Sequence, residues 1–426
     1  MRKVNATGQA FGMMVNVTDL PDKAETRWMT AWSREEGNRR AEENLLAAFG
    51  VEAKGTWSAP GRINLVGEYT DISNGVCLST VIPHRTYIAA TKRDDSIIRI
   101  TTDLFRDAND AHPVWEGNLE SLEDLRDEDE WMSYPAGVLW SLQERGYAGS
   151  GMDIAITSCV PISAGLSSST SLTAATALAA NAVWGLALPT DVDATELAEV
   201  CMDAENDLVG GATAGVAQHT ILRCAPGEAI YLDFSARPPI AQLCPLTLAD
   251  YGLGLLIIDT GVRSTRQVAM VRQRMADAAA AAKALGVSAL RELPTGPNGL
   301  ARVNSIADPI LRKRARHFFM ENERVEQVRD ELTGTAPAHE RFVSVGKAMY
   351  RSHASLEVDL EVSCSELNLA IDTAFRLGAI GARLVGAGDG GSAIALMRRS
   401  QSAGAATVID EAFQKEGLAR PRFAFF

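Results

Sequence analysis

The chain has 426 residues, enough for two or three units at about 150 residues per domain, and therefore for two separate cores. It carries 41 Lys and Arg against 54 Asp and Glu, a net charge of −13, and an acidic chain lacks the electrostatic footprint of a nucleic-acid binder. Hydrophobic residues at 46% and charged ones at 22% exclude wholesale disorder.

In chain order, Arg2 and Lys3 precede Asn5, Thr7 and Gln9 with no apolar run behind them, so no secretory signal is expected. Residues Glu25 to Phe49 set Trp28, Trp32, Ala41, Leu45 and Phe49 among charges, with Gly50 following. This predicts one or two amphipathic helices, a helical leader over residues 1–50. Strands are predicted over Ile63 to Val66, Val76 to Ile82, Tyr87 to Thr91 and Ile97 to Thr101, in a mostly antiparallel sheet with a turn at Ser73-Asn74-Gly75. The acidic run Glu116 to Glu130 reads as a solvated loop rather than a metal cage.

Helices are predicted over Trp131 to Glu144, Ser168 to Val183 and Asp193 to Leu208, with a strand from Met152 to Val160 entering a Gly/Ser turn. The stretch Ser167 to Leu188 is uncharged, but its Ser, Thr and Asn residues mark a buried Ala-rich helix rather than a membrane span. Pro-rich Arg237 to Pro245 predicts the crossing between domains, giving units over 51–240 and 241–426. The second unit reads as a strand at Gly254 to Ile258, helices over Arg263 to Ala284 and Ser305 to Leu332, then helix, strand, glycine loop and strand from Ser363 to Met397. The six cysteines, Cys77, Cys159, Cys201, Cys224, Cys244 and Cys364, form no CxxC pair and read as reduced thiols of a cytoplasmic protein.

Three runs carry chemistry. In PISAGLSSSTS, Pro161 to Ser171, a strand meets a helix through Gly165 and Leu166. Backbone N–H groups and the hydroxyls of Ser167, Ser168 and Ser169 then suit an anion and a hard cation. The other reading is a Ser-rich N-cap on a core helix, and without a Lys the run is not a Walker A loop. In APGRINLVGEYTDISNGV, Ala59 to Val76, the residues Arg62, Glu68 and Asp71 gather beside Gly61, Gly67 and Gly75, which suggests close approach of a ligand, with a surface salt bridge as the alternative. In GARLVGAGDGGSAIAL, Gly381 to Leu396, four glycines between Gly386 and Gly391 let the backbone approach a ligand or a neighbouring loop.

In this order the runs resemble the three motifs of the small-molecule kinases named for galactokinase, homoserine kinase, mevalonate kinase and phosphomevalonate kinase. GRINLVGEYTD is most similar to the galactokinase sugar signature GR(V/I)NLIGEHTD. Trp131 to Val138 resembles the family's W-x-x-Y-x-x-G-V helix and Ala204 to Gly210 its AEN-x-x-x-G segment, so the likeness runs from about Thr56 to Met397.

The resemblance implies an α+β fold of two domains with the active site in the cleft between them, a monomer, and transfer of the ATP γ-phosphoryl group to the 1-hydroxyl of galactose or a related sugar. It implies that Arg62 stabilises the transferring group, that Glu68, Tyr69 and Asp71 face the sugar, that Gly165, Leu166 and Ser167 to Ser169 hold the phosphates, and that Ser169 and Glu205 bind Mg²⁺. By spacing alone, Glu205 near a helix C-terminus is equally a surface carboxylate.

The departures lie on the sugar side. The family's catalytic aspartate precedes a glutamine in a G-x-x-D-Q run, and here Ala217 precedes Gln218; Tyr69 replaces a histidine, Met270 a tyrosine and Asp389 an aromatic ring. Weakened turnover or altered sugar preference is therefore expected, and the alternative is an inactive sensor that binds sugar and ATP.

Overall fold

The computed structural model describes residues 26–107, 110–126 and 130–426. The run containing Arg2 and Lys3, and Glu25 at the head of the expected leader, lie outside the described residues.

The first sheet is built from β1 Gly55–Val66, β2 Val76–Lys92, β3 Ile97–Thr102, β4 Val114–Asn118, β5 Met152–Ser158, β6 Glu228–Asp233 and β7 Ile240–Pro245. Its order is β4-β3-β5-β2-β6-β7, with β1 also paired to β2. All pairings are antiparallel except β3 with β5.

The two short strands expected over Val76 to Ile82 and Tyr87 to Thr91 are one continuous β2. Pro83 does not break it because it lies, exposed, where the β1 register slips between Pro60 and Arg62, so its missing N–H is not needed by the ladder. The expected crossing at Arg237 to Pro245 is corrected as well: Ile240–Pro245 is the edge strand β7, paired with β6.

Helix α1, Arg34–Phe49, starts at the Ser33 N-cap and stops at Gly50 in the left-handed region. It buries Ala41 and Leu45 against Tyr87, Ala89 and Ala155. Ahead of it the chain is extended rather than helical. Met29 and Phe423 exchange backbone bonds with their neighbours across this pair (Met29 N to Phe423 O, 2.7 Å), and Trp28 packs on the Phe423 ring.

The opposite face of the sheet carries α2 Ser133–Glu144, α3 Ser168–Trp184, α4 Thr195–Asp203 and α5 Val216–Arg223, over a core of Ile98, Ile100, Ile154, Ile156, Leu139 and the alanines of α3. Small side chains let α3 lie close to β1 and β2, and this explains its uncharged sequence without a membrane. Among the described residues no helix is long and apolar enough to cross one. The helix expected to run to Leu208 ends at Asp203 and widens into a π turn over Ala204–Leu208, a distortion frequent at functional sites.

The second half holds the sheet β11-β8-β10-β9, formed by β8 Leu253–Asp259, β9 Gly381–Val385, β10 Ser392–Arg398 and β11 Arg422–Phe425. Around it lie α6 Gln267–Ala284, α7 Gly296–Asn304, α8 Pro309–Thr333, α9 Ala338–Val358, α10 Ser365–Arg376 and α11 Arg399–Lys415. Helix α8 begins where Asp308 caps the Ile310 and Leu311 amides and Pro309 occupies the first turn.

One core joins the halves: Ile63, Leu65, Val76 and Leu78 of the first sheet pack with Val325, Val328, Phe342, Leu255, Val385 and Leu396. All six cysteines are free thiols. The segment expected as a solvated loop, Glu116 to Glu130, instead ends strand β4 and then forms a 3-10 helix over Leu119–Leu125, and its described carboxylates are exposed.

Candidate functional site

The three glycine-bearing runs meet at one place. The Arg62 amide donates to the Leu166 carbonyl (3.1 Å), which fixes the serine loop to β1. Leu166 itself is fully buried, so it contributes its backbone and an anchor rather than a face to a ligand. A Cβ on Gly61 would come within 2.7 Å of that same carbonyl. On the other side, a Cβ on Gly165 would lie 3.0 Å from Val385 O, and one on Gly386 3.0 Å from the Gly165 Cα. Ser392 Oγ completes the junction by donating to Ala164 O at 2.7 Å. The glycines of the third run thus serve the approach of one loop to another.

Residues Ser163, Gly165 and Ser167 all have positive φ, which curls the loop so that α3 starts at Ser168. Ser167 occupies the N-cap position but makes no capping bond through its side chain. The plain N-cap reading therefore does not account for it. Among the described residues the hydroxyls of Ser167 and Ser168 are free beside the partial positive charge of the α3 N-terminus, an arrangement suited to an oxyanion.

Glu205 sits on the π turn, facing this helix start. Its carboxylate accepts from Ser169 Oγ (3.4 Å), Thr173 Oγ (3.2 Å) and Gln218 Nε2 (2.9 Å). Burial raises its pKa, against which the donors from Thr170, Gln218, Thr173 and Ser169 act. It is not the surface carboxylate that its helix-end position allowed. The long Ser169 contact leaves a hydroxyl and a carboxylate oxygen adjacent, a hard donor pair that fits Mg²⁺ when phosphate oxygens supply the remaining ligands.

Ala217 is 7% exposed and brings only a methyl group. The polar group on this face is its neighbour Gln218, fully buried, which donates to Glu205 and accepts from Thr213 Oγ at 3.2 Å. Gln218 thus becomes a second candidate for the position of the missing base beside Ala217. The signal was in the sequence: counted forward from Gly215, the G-x-x-D-Q spacing reaches Gln218, whereas matching the glutamine alone selects Ala217.

On the sugar-signature side, Asn64 links the charged groups. Its Oδ1 accepts from Arg62 Nη1 (3.0 Å) and its Nδ2 donates to Glu68 Oε2 (2.7 Å). Sequence reasoning passed over this residue, although a buried asparagine inside an apolar strand marks a required bond. Arg62 Nε is buried with no partner among the described residues, so the guanidinium has donor capacity left.

Glu68 Oε1 accepts the Gly386 amide (2.8 Å) and lies 3.6 Å from Arg383 Nη2. The Asp71 carboxylate accepts the Ile72 amide (3.1 Å). Burial and the nearby Glu68 charge push its pKa up to about 6, against the pull of Arg62. Tyr69 turns away from these groups: its hydroxyl donates to Ala387 O (2.6 Å) and its ring is packed with Leu256, Leu360 and Val362. The expectation that Tyr69 faces a sugar is corrected to a tether between the first and third runs, because a buried phenol needs a hydrogen-bond partner and the glycine loop supplies one.

Asp389, in place of the expected ring, is held by Ser264 Oγ (2.7 Å) and Arg266 Nη2 (2.8 Å). Met270 lies partly buried on α6 beside the same core.

Comparison with known proteins identifies the same segments. Residues 133–221 match the model for the GHMP kinases N terminal domain, 45–92 the galactokinase galactose-binding signature and 335–415 the GHMP kinases C terminal model. A galactokinase of Streptomyces coelicolor is 37% identical over 89% of this chain and 94% of its own length. One from Streptococcus thermophilus is 37% identical over 84% and 89%. Among solved structures, Lactococcus lactis galactokinase complexed with galactose superposes with a TM-score of 0.81 at 26% identity, covering 91% of this chain and 97% of that one. A Methanococcus jannaschii mevalonate kinase shares the fold at a TM-score of 0.59 and 19% identity.

Proposed function

This chain belongs to the galactokinase family, and from that premise we propose that it transfers the γ-phosphoryl group of ATP to the 1-hydroxyl of galactose or a close relative, with turnover limited by the lack of a carboxylate base. The observation that carries the reading is the meeting of a free-hydroxyl helix start, a buried acceptor (Glu205) and an arginine with spare donors (Arg62).

In this reading Ser167, Ser168 and the amides from Gly165 onward hold the phosphates, and Arg62 places its unused donor on the oxygens of the group in transit. Ser169 and Glu205 hold Mg²⁺, which when bound neutralises charge developing on the phosphates. Asp71 and Glu68 accept hydrogen bonds from sugar hydroxyls. Leu166 and Tyr69 fix the loops that present these groups. We place the boundary between the two units after Pro245, a reading that the pairing of β7 with β6 supports.

Phosphoryl transfer depends mostly on alignment and charge stabilisation, while a positioned base adds about 10²–10⁴-fold. Gln218 donates its amide to Glu205 and is not a proton acceptor at neutral pH. The same bond supports a second reading, sugar and nucleotide binding without turnover.

The test is ADP release and ³¹P detection of a sugar 1-phosphate with ATP, Mg²⁺ and a sugar panel. Galactose-dependent product supports the kinase. Saturable galactose binding with no product establishes the binding-only alternative, and neither binding nor product sinks both.

A further inference from the structure

The turn that carries Glu68 and Asp71, residues Gly67 to Val76, leaves the first sheet, yet its backbone is held from the second half of the chain. The Gly67 amide donates to Glu321 Oε1 at 2.8 Å and the Val76 amide to Asn322 Oδ1 at 2.8 Å, so adjacent residues of α8 hold both ends of the turn. Between them, His317 Nε2 is 3.0 Å from the Glu68 carbonyl, and Ser73 Oγ accepts the Leu290 amide at 2.9 Å. The contact is close: a Cβ on Gly75 would stand 2.6 Å from Asn322 Oδ1.

These α8 groups are themselves fixed. Glu321 is fully buried, accepts from Ser352 Oγ (2.6 Å) and pairs with Arg324 (2.6 Å). His317 Nδ1 is 2.9 Å from Ser355 Oγ, which donates to Asp359 Oδ2 at 2.9 Å. Buried Arg383 of β9 donates to the Asn64 carbonyl (3.2 Å) and faces Glu68. Apolar side chains in these three places would fill the same space but would leave the Gly67 and Val76 amides and the Glu68 carbonyl without these partners.

We propose that His317, Glu321 and Asn322 are positioning residues for the sugar pocket. The second half, through α8, sets the geometry of the turn bearing Glu68 and Asp71, while the nucleotide side is built on the start of α3, which none of these three residues touches. The inference rests on the sugar-site reading above. Loss of one of these bonds lets the turn leave its binding-competent form, and apparent sugar affinity falls with the competent fraction.

The experiment compares Asn322→Ala and His317→Leu with His317→Gln, which keeps an N–H donor for the Glu68 carbonyl. Galactose and ATP affinities are measured separately by calorimetry on the full chain, with hydrogen exchange of residues 67–76 followed without ligand. Asn322→Ala and His317→Leu are expected to weaken galactose binding by about tenfold, with ATP affinity within about twofold and faster exchange confined to the turn; His317→Gln recovers most of the loss.

Unchanged galactose affinity in both disruptive variants overturns the proposal, as does an equal loss of both ligands. A parent chain that binds ATP but no sugar overturns the sugar-site reading and the proposal with it. A variant that fails to fold is replaced by Gly75→Ala, which crowds Asn322 from the turn side and is expected to give the same galactose-selective loss.

Discussion

The side-chain amide of Gln218 donates to the carboxylate of Glu205 across 2.9 Å. The residue that the count from Gly215 offers as the base position is therefore a donor bound to the acid of the proposed Mg²⁺ site. If the chain is a galactokinase lacking only its base, Gln218→Asp should raise galactose-dependent ADP release by up to about 10²-fold, because a carboxylate there can accept the proton of the 1-hydroxyl. Ala217→Asp, one step around α5, should raise it less. Coupled-enzyme kinetics on both variants decide the matter, and a larger gain at Ala217 would place the base position at that residue.

Glu205 and Ser169 form the proposed Mg²⁺ site. Glu205→Gln keeps hydrogen-bonding capacity but removes the charge, so nucleotide affinity should lose most of its dependence on Mg²⁺ while metal-free nucleotide binding stays comparable. Titration calorimetry with and without the metal measures this. An undiminished Mg²⁺ dependence would leave Glu205 as a structural acceptor for Thr173 and Gln218 alone.

The contact between Gly165 and Gly386 predicts that a change in the third run acts on the phosphate loop. A methyl at Gly386, whose φ is +77°, meets the Gly165 Cα at 3.0 Å. Gly386→Ala should destabilise the fold by about 1–3 kcal/mol and weaken ATP binding, although residue 386 contributes no side chain to the phosphates. Gly165→Val should abolish nucleotide binding, since a branched group at φ +75° runs into Val385 O. Thermal melts with and without ATP separate the two effects.

Asp71 gives a pH dependence with a definite sign. Its pKa is raised to about 6 by burial and Glu68. The folded chain consequently holds that proton more tightly than the unfolded one, and the stability contribution of this group falls as pH rises from the ordinary carboxylate range to about 6. Sugar binding runs the other way, because the ionised carboxylate is the stronger acceptor of sugar hydroxyls. Galactose affinity should rise between pH 5 and 7, and Asp71→Asn should weaken binding and flatten that rise. A pH profile unchanged by the substitution would remove Asp71 from the sugar pocket.

The fold class and the three loop motifs were legible in the sequence because each depends on local features: a glycine where the backbone turns, hydroxyls at a helix start, a periodic apolar face. The sequence also determined the interior placement of α3, whose Ala, Ser and Thr residues permit close packing and carry no charge. The partner of each polar group came from packing between distant segments. Tyr69 reads as a pocket residue until its hydroxyl reaches Ala387, far along the chain. The glycines after Val385 suit approach to a ligand or to a neighbouring loop, and packing puts them against Ala164 and Gly165.

The run Ser305 to Leu332 reads as a long charged helix or pair, because a helical period reports a buried face without saying what lies opposite it. His317, Glu321 and Asn322 acquire their meaning from a turn some 250 residues earlier in the chain (|i−j| of 249, 254 and 246), brought to them by the core that joins the two halves. Hydrogen bonds are short-ranged and directional, so a pairing between distant segments is fixed only once packing has set their orientation.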